Sequence, residues 1–279
     1  MKHLPPLKLS LALLACASFQ HPLHAAVIAF EGFDYTEANG TSVSALNGGT
    51  GWTEAYPAPS GTIALDDGLS FSGHLASTGK AMEYGKNANL TTNGRNWSTT
   101  VDSGTYWYSM LVNPQTFFNG STTEYGRGVF NIFQKSGDNQ NGFGFRLDND
   151  GTSNPRFKAH SQIQATGANI EFSGGYNQTY LVLGSITVDL TGSTVSSLWV
   201  YNSASTLPTT APDVAMSTVT SATGTLNSAF SGRAFSNSAP IGIDEIRIGT
   251  AFSDVMSIPE PSAALLSLLG LLSLARRRR

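Results

Sequence analysis

Thiols are almost missing from this chain: its 279 residues include one cysteine, Cys16, inside an N-terminal apolar stretch. Once that stretch is removed, disulfides and cysteine-held metals are excluded from everything that follows. Histidine is scarce too. Beyond residue 26 only His74 and His160 occur, and neither stands in a metal-ligand spacing such as His-x-x-x-His, so both read as surface or satisfied core residues. Serine is abundant, yet Gly-x-Ser-x-Gly is absent, which excludes a nucleophile elbow. No phosphate-binding glycine loop occurs, so the glycines read as turn residues. Between Val27 and Ser257 long apolar patterning at a period of 3.6 is also missing, which argues against a helical body.

Positive charge is the next scarcity. Residues 27–257 carry ten Lys/Arg against eighteen Asp/Glu, a formal charge of −8 that the whole-chain value of −3 conceals. A basic nucleic-acid face is therefore not expected. The acidity suits an extracellular surface and would weakly repel other polyanions.

What is present is clearest at the two ends. Lys2 and Lys8 form a basic start, Leu9 to Ala17 a short apolar stretch, and Ala25-Ala26 a small-residue cleavage point, so residues 1–26 read as a secretory signal peptide for signal peptidase. Leu13-Leu14-Ala15-Cys16 also resembles a lipobox, which leaves lipoprotein processing as the alternative. At the other end, Ile258-Pro259-Glu260-Pro261 precedes fourteen uncharged residues, Ser262 to Ala275, closed by Arg276, Arg277, Arg278 and Arg279. As a helix, 262–275 spans roughly 21 Å at about 1.5 Å per residue, against roughly 30 Å of hydrocarbon. Snorkelling arginines and local thinning offset the shortfall. Their charge resists translocation, leaving the arginines as a membrane stop in the cytoplasm with the body outside. The prolines disfavour helix, so Pro259-Glu260-Pro261 reads as an extended segment at the membrane boundary.

This three-part tail, residues 258–279, resembles the PEP-CTERM sorting signal of certain Gram-negative bacteria, also known as an ice-binding-protein C-terminal domain. The resemblance implies an exosortase-like membrane protease as partner, a sorting motif at Pro259, Glu260 and Pro261, and a setting of exopolysaccharide export. It implies nothing about ice.

The body, 27–257, is long enough for one large core. Short β-branched and aromatic runs recur between Gly, Asn, Ser, Thr and Asp clusters: Val27–Phe30, Thr105–Val112, Gly128–Phe133, Gly142–Leu147, Arg156–Ala159, Tyr180–Leu190, Ser197–Tyr201 and Ile241–Ile248. That pattern predicts an all-β antiparallel sandwich or barrel. Within Thr105–Val112 both alternating faces are apolar, so that strand should be covered on both sides. Asp148-Asn149-Asp150-Gly151, with Asn154-Pro155, is turn chemistry between two strands. The Ser/Thr/Ala-rich stretch from Asn202 to Gly232 reads as a flexible insertion or weak edge strands. Phe30-Glu31-Gly32-Phe33-Asp34-Tyr35, Asn47-Gly48-Gly49-Thr50-Gly51-Trp52, Ser197-Leu198-Trp199-Val200-Tyr201 and Ile243-Asp244-Glu245-Ile246-Arg247-Ile248-Gly249 resemble strands of concanavalin A-like, or laminin-G-like, jelly rolls. That resemblance implies a fold rather than an activity, since lectins, glycosidases, lyases and adhesion modules share it.

Few residues carry chemistry. Glucanases on this fold need two carboxyls about 5–5.5 Å apart, whereas Glu31 and Glu37 on an extended strand lie roughly 20 Å apart at about 3.3 Å per residue, with Asp34 on the opposite face. Ile241 and Ile243 differ in parity from Ile246 and Ile248, so a β-bulge is expected at Asp244-Glu245, with one acid paired to a base such as Arg247. Asp148 and Asp150 are weak candidates for Ca²⁺, lacking the full acidic loop and the six to eight oxygens that ion takes; no other cofactor is implied. Trp107 and Trp199 are expected in the core, while Trp52 and Trp97, set among Gly, Asn and Thr, are the candidate sugar-stacking residues. The leading expectation is a non-enzymatic, exported, membrane-tethered surface or matrix protein. The alternative is a lectin-like module for exopolysaccharide, with a glycoside hydrolase or polysaccharide lyase third.

Overall fold

A computed structural model describes residues 27–71, 79–85, 88–90, 94–98, 100–115, 127–136, 138–148, 154–162, 165–172, 175–235 and 240–256. The signal-peptide region, His74, Asp150 and the whole 258–279 tail lie outside the described residues. Among the described residues no helix is long and apolar enough to cross a membrane.

Two antiparallel sheets enclose one large core. The first contains β1 (Val27–Glu31), β2 (Ile63–Asp67), β3 (Lys80–Tyr84), β5 (Gly104–Pro114), β11 (Tyr180–Val188), β12 (Ser193–Tyr201), β13 (Ser217–Ala222) and β16 (Ile241–Gly249). Its order is β13-β12-β11-β5-β16-β3-β2, with β1 also on β16. The second contains β4 (Arg95–Asn96), β6 (Arg127–Lys135), β7 (Asp138–Asp148), β8 (Arg156–Gln162), β9 (Ala165–Thr166), β10 (Ile170–Glu171), β14 (Leu226–Asn227) and β15 (Ala229–Ala234). It runs β10-β8-β7-β6-β15-β4, with β14 on β6 and β9 on β8. Tyr84, Tyr108, Met110 and Val112 from the first sheet meet Phe130, Phe133, Phe143, Phe145 and Phe157 from the second in a single buried cluster. The all-β sandwich expected from the sequence is what forms.

Strand β5 is covered on both faces. Tyr108, Met110 and Val112 face the main core, while Trp107 and Leu111 join a second cluster with Trp199, Tyr201, Val255 and Met256. The cover includes α1 (Phe252–Val255): Phe252 meets the Trp107 ring edge-on, Trp107 stacks on Trp199 at 5.7 Å, and the Ser109 hydroxyl donates to the Val255 carbonyl at 2.7 Å. Trp107 and Trp199 thus pack as expected.

The expected bulge sits in β16. Asp244 pairs with Leu111 and Arg247 with Ser109, so one extra residue separates them, and Ile241, Ile243, Ile246 and Ile248 all reach the same core. It falls where the far edge of β16 changes partner, from β3 at Ile241–Ile243 to β1 from Ile246 onward. Glu245 has φ 51° and pairs with Arg247 at 2.9 Å, while Asp244 accepts from the Leu69 amide at 2.8 Å.

The 202–232 stretch needs correction in one part. β13 is an edge strand on β12, but Ala229–Ala234 is interior, paired to β6 on one side and β4 on the other, with Phe230 wholly buried.

Candidate functional site

Two polar constructions stand out, and they differ in kind. The first is closed. Arg95, 0 % exposed, reaches from β4 to the equally buried Glu31 of β1, and their Nη1 and Oε2 atoms form an ion pair. Arg95 Nε donates to the Glu54 carbonyl at 2.8 Å, and Nη2 to Asn47 Oδ1 at 3.0 Å and the Gly48 carbonyl at 2.6 Å. Its guanidinium lies 4.9 Å from the Trp52 ring and 4.6 Å from that of Tyr56. Glu31 also accepts from the Phe33 amide at 2.9 Å and the Tyr35 hydroxyl at 3.1 Å. Burial pushes the Glu31 carboxyl above the ordinary carboxylate range, while Arg95, the Phe33 amide and the Tyr35 hydroxyl oppose that rise. This node staples the two glycine-rich segments around Phe30 and Thr50, which also exchange backbone hydrogen bonds.

Gly51 shows how tightly they meet. Its φ is 78°, and a Cβ there would fall 1.8 Å from the Ile28 carbonyl oxygen. Only glycine suits that turn.

The second construction is open. A cleft of about 390 Å³ is lined by Thr53, Asn96, Ser98, Val101, Leu226, Asn227 and Ser228. Its lining is neutral and dominated by amides and hydroxyls, with Val101 and Leu226 as apolar wall. Glu54 stands beside it and accepts from the Asn96 amide at 2.5 Å. Strands β4, β14 and β15 bring these residues together, because Asn96 pairs with Ala229 and Asn227 with Gln134. The volume lies in the usual range for small-ligand pockets, roughly 300–1,000 Å³.

Trp52 and Trp97, the aromatics singled out in the sequence, flank this cleft along the chain but turn their rings away from it. Trp52 donates its indole N–H to the Phe30 carbonyl at 2.9 Å and lies against Arg95. Trp97 is 3 % exposed, donates to the Ile132 carbonyl at 3.0 Å and packs on Phe133 and Tyr106. Trp97 is therefore not a sugar platform: its ring closes the core beneath Asn96 and Ser98. The residues that line the cleft carry no sequence signature, being ordinary Asn, Ser and Thr.

Asp148, the described member of the Ca²⁺ pair, is taken by cations instead. It pairs with Arg146 and, at 2.8 Å, with Lys158. Among the described residues no group of three potential metal ligands occurs. Asp34 and Glu37 are exposed, while Glu31 is held by Arg95, so the first three carboxylates do not share a cleft.

Asn227 links the cleft to the outer face of the second sheet. That face, pointing away from the shared core, carries Asn131, Gln134, Arg146, Asp148, Arg156, Lys158, His160, Ser231 and Arg233, as strand alternation and register require. Asn131, Gln134, His160 and Ser231 are at most 1 % exposed. The Asn131 amide donates to the Ser231 hydroxyl at 3.3 Å and lies over Gly142, where a Cβ would come within 2.7 Å of it. Gln134 differs from its neighbours: neither its Nε2 nor its Oε1 has a hydrogen-bond partner.

No family model matches the chain, and no curated protein sequence matches it. Among solved structures, it is similar to a protein of unknown function from Shewanella oneidensis, at 14 % identity over 91 % of this chain and 99 % of that one, TM-score 0.41. It is also similar to an alginate lyase in complex with alginate tetrasaccharide, at 12 % identity over 81 % and 98 %, TM-score 0.39. A third is a legume lectin-like domain from Entamoeba histolytica, at 10 % identity over 68 % and 87 %, TM-score 0.32. What the chain shares with these is a distant likeness of form; its place is with the antiparallel β-sandwiches, on the strength of its own two sheets.

Proposed function

We propose that this protein is an exported, membrane-tethered surface protein whose sandwich binds polysaccharide through the cleft at Thr53, Asn96, Ser98, Asn227 and Ser228. One observation carries the binding reading: a cleft of about 390 Å³ whose polar lining is amide and hydroxyl, with an apolar wall at Val101 and Leu226. Sugars present hydroxyls that donate and accept at once, together with apolar C–H faces, and neutral amides and hydroxyls match both. The cleft therefore favours the lectin-like reading over the structural one.

Export and tethering rest on the sequence of the two ends, residues 1–26 and 258–279. An exosortase-like protease is the partner proposed for Pro259, Glu260 and Pro261, and exopolysaccharide is the setting proposed for the ligand. Replacing the three with alanine should change the mature mass or the surface retention of the protein; an unchanged mass and location would refute the sorting role.

The binding reading is tested with the full chain in mild detergent, offered a panel of a β-glucan, a galactomannan and a polyuronate. Saturable binding to at least one is expected, weakened by Asn227→Ala. Absence of binding across the panel would refute it.

A further inference from the structure

Apolar surface is unevenly spread over the sandwich. Among the described residues the exposed large hydrophobic side chains are Val27, Leu190, Val214 and Met216, and all four belong to the first sheet or its connections. Val27 opens β1, Leu190 sits in the turn between β11 and β12, and Val214 and Met216 lead into β13. Val214 stands out at 82 % exposed, with Met216 at 45 %.

These two lie over the outer face of the first sheet. The Trp199 indole N–H donates to the Val214 carbonyl at 2.7 Å, and the Val200 amide points to the Met216 sulfur at 3.5 Å. Ala215, between them, packs into the outer cluster of Leu111, Leu181, Leu183 and Trp199. The middle residue therefore faces the sheet while its two apolar neighbours face away from it.

The chain leaves the described body on this same face. Val255 and Met256 belong to the outer cluster. Phe252 meets the Trp107 ring at 5.5 Å and Trp107 stacks on Trp199 at 5.7 Å, so two ring contacts and one hydrogen bond link α1 to Val214. Beyond Met256 only residues 257–261 precede the uncharged run Ser262 to Ala275. Fully extended, that connection reaches at most about 20 Å. Stacked sheets lie about 10 Å apart, and the outer face of the second sheet lies behind both. A connection of that reach is too short to pass round an edge of the sandwich and hold the far face against a bilayer. It holds the near one.

We infer that the outer face of the first sheet is the surface the body lays against the membrane, with Val214 and Met216 entering the headgroup boundary. Apolar side chains gain by leaving water there. Half-buried Trp107 and Phe252 stand behind them, and tryptophan suits a boundary that is apolar on one side and wet on the other. Asp213, exposed beside Val214, favours an uncharged lipid surface over an anionic one. This rests on the membrane-tether reading above and names the surface that meets the bilayer. The cleft, built on β4, β14 and β15 of the second sheet, then stays open to polymer.

The body has no thiol, so a single introduced cysteine reports its own surroundings. The test uses the full chain carrying Cys16→Ser in phosphatidylcholine vesicles, with a polarity-sensitive fluorophore on Val214→Cys or on Thr53→Cys in the cleft. Both positions are exposed, so neither substitution opens the core. The chain should float with the vesicles. The label at 214 should emit to the blue of the label at 53, and nitroxides on the lipid acyl chains should quench 214 while sparing 53. Flotation without quenching at 214 would overturn the facing inferred here and leave the tether standing. Quenching at 53 as strong as at 214 would overturn it too, because the bilayer would then reach the cleft. A chain left behind when the vesicles float would overturn the tether reading and this inference with it.

Discussion

The Arg95 node and the cleft beside it are both built from polar groups among the β4 neighbours, yet they do opposite things. Around Arg95, Nε, Nη1 and Nη2 each meet an acceptor, and two aromatic rings cover the guanidinium. A few ångströms along the chain, Asn96, Asn227 and Ser228 line open space, and Asn227 pairs across the strands with Gln134, whose carboxamide is unmet. The difference separates polar groups enclosed on every side from polar groups that bond within the fold and also face a cleft. Buried charge is tolerated where the protein supplies every partner, and unmet hydrogen-bonding capacity marks where it does not.

The comparison breaks most sharply at Glu31. Glu31→Ala would leave the Arg95 charge buried without its counterion, a loss of about 3–5 kcal/mol, read as a lowered urea midpoint. A midpoint within error of the parent would show that the node does not hold the fold. Gly51→Ala attacks the same node through its backbone, forcing a Cβ against the Ile28 carbonyl at positive φ. A destabilisation of roughly 1–3 kcal/mol is expected, and a neutral outcome in the same assay would mean the two glycine-rich segments can part freely. Tyr35→Phe is milder, removing a hydroxyl bond to Glu31 worth about 1 kcal/mol.

That variant also has a pH signature. Burial, together with the neighbouring Glu31 charge, raises the Tyr35 phenol from 10.0 to about 12. Between those values the unfolded phenol loses its proton while the folded one keeps it, so stability falls as pH rises through 10 to about 12. Tyr180 is raised into the same window by burial. Urea midpoints at pH 9 and pH 12 should therefore converge in Tyr35→Phe relative to the parent, though not fully. An identical alkaline fall in both proteins would remove Tyr35 from the account.

Much of the sandwich was legible because its central strands are rich in β-branched and aromatic residues that alternate or run continuously. Seven of the eight runs lie wholly on strands and the other, Tyr180–Leu190, ends two residues past β11, and the mismatch of isoleucine parity in β16 announced the bulge at Asp244-Glu245 together with its Arg247 partner. Strands β2, β3 and β15 were not legible. Ile63–Asp67, Lys80–Tyr84 and Ala229–Ala234 have weak strand composition, and what makes them strands is the edge each is offered, by β3, by β16 and by β6 in turn.

The site was harder to read than the fold. Asn47-Gly48-Gly49-Thr50-Gly51-Trp52 and the Phe30–Tyr35 segment were visible as motifs, but nothing local points to Arg95. Its partners Glu31, Asn47 and Glu54 stand 64, 48 and 41 residues away. Trp52 and Trp97 were attractive as sugar platforms because their neighbours are polar. The neighbours line the cleft and the indoles support it, a distinction set by which way each residue faces. The company that Arg146, Lys158 and Arg233 keep on one face was equally hidden, since cross-strand register alone gathers them there.

The most direct test is the polysaccharide affinity of the full chain and its Asn227→Ala variant, measured beside their melting curves on whichever panel member binds. The account predicts that affinity drops about tenfold, near 1.4 kcal/mol, while the melting temperature stays where it was, because Asn227 serves the ligand and not the fold. Unchanged affinity, or a fall in affinity matched by a fall in melting temperature, would contradict it.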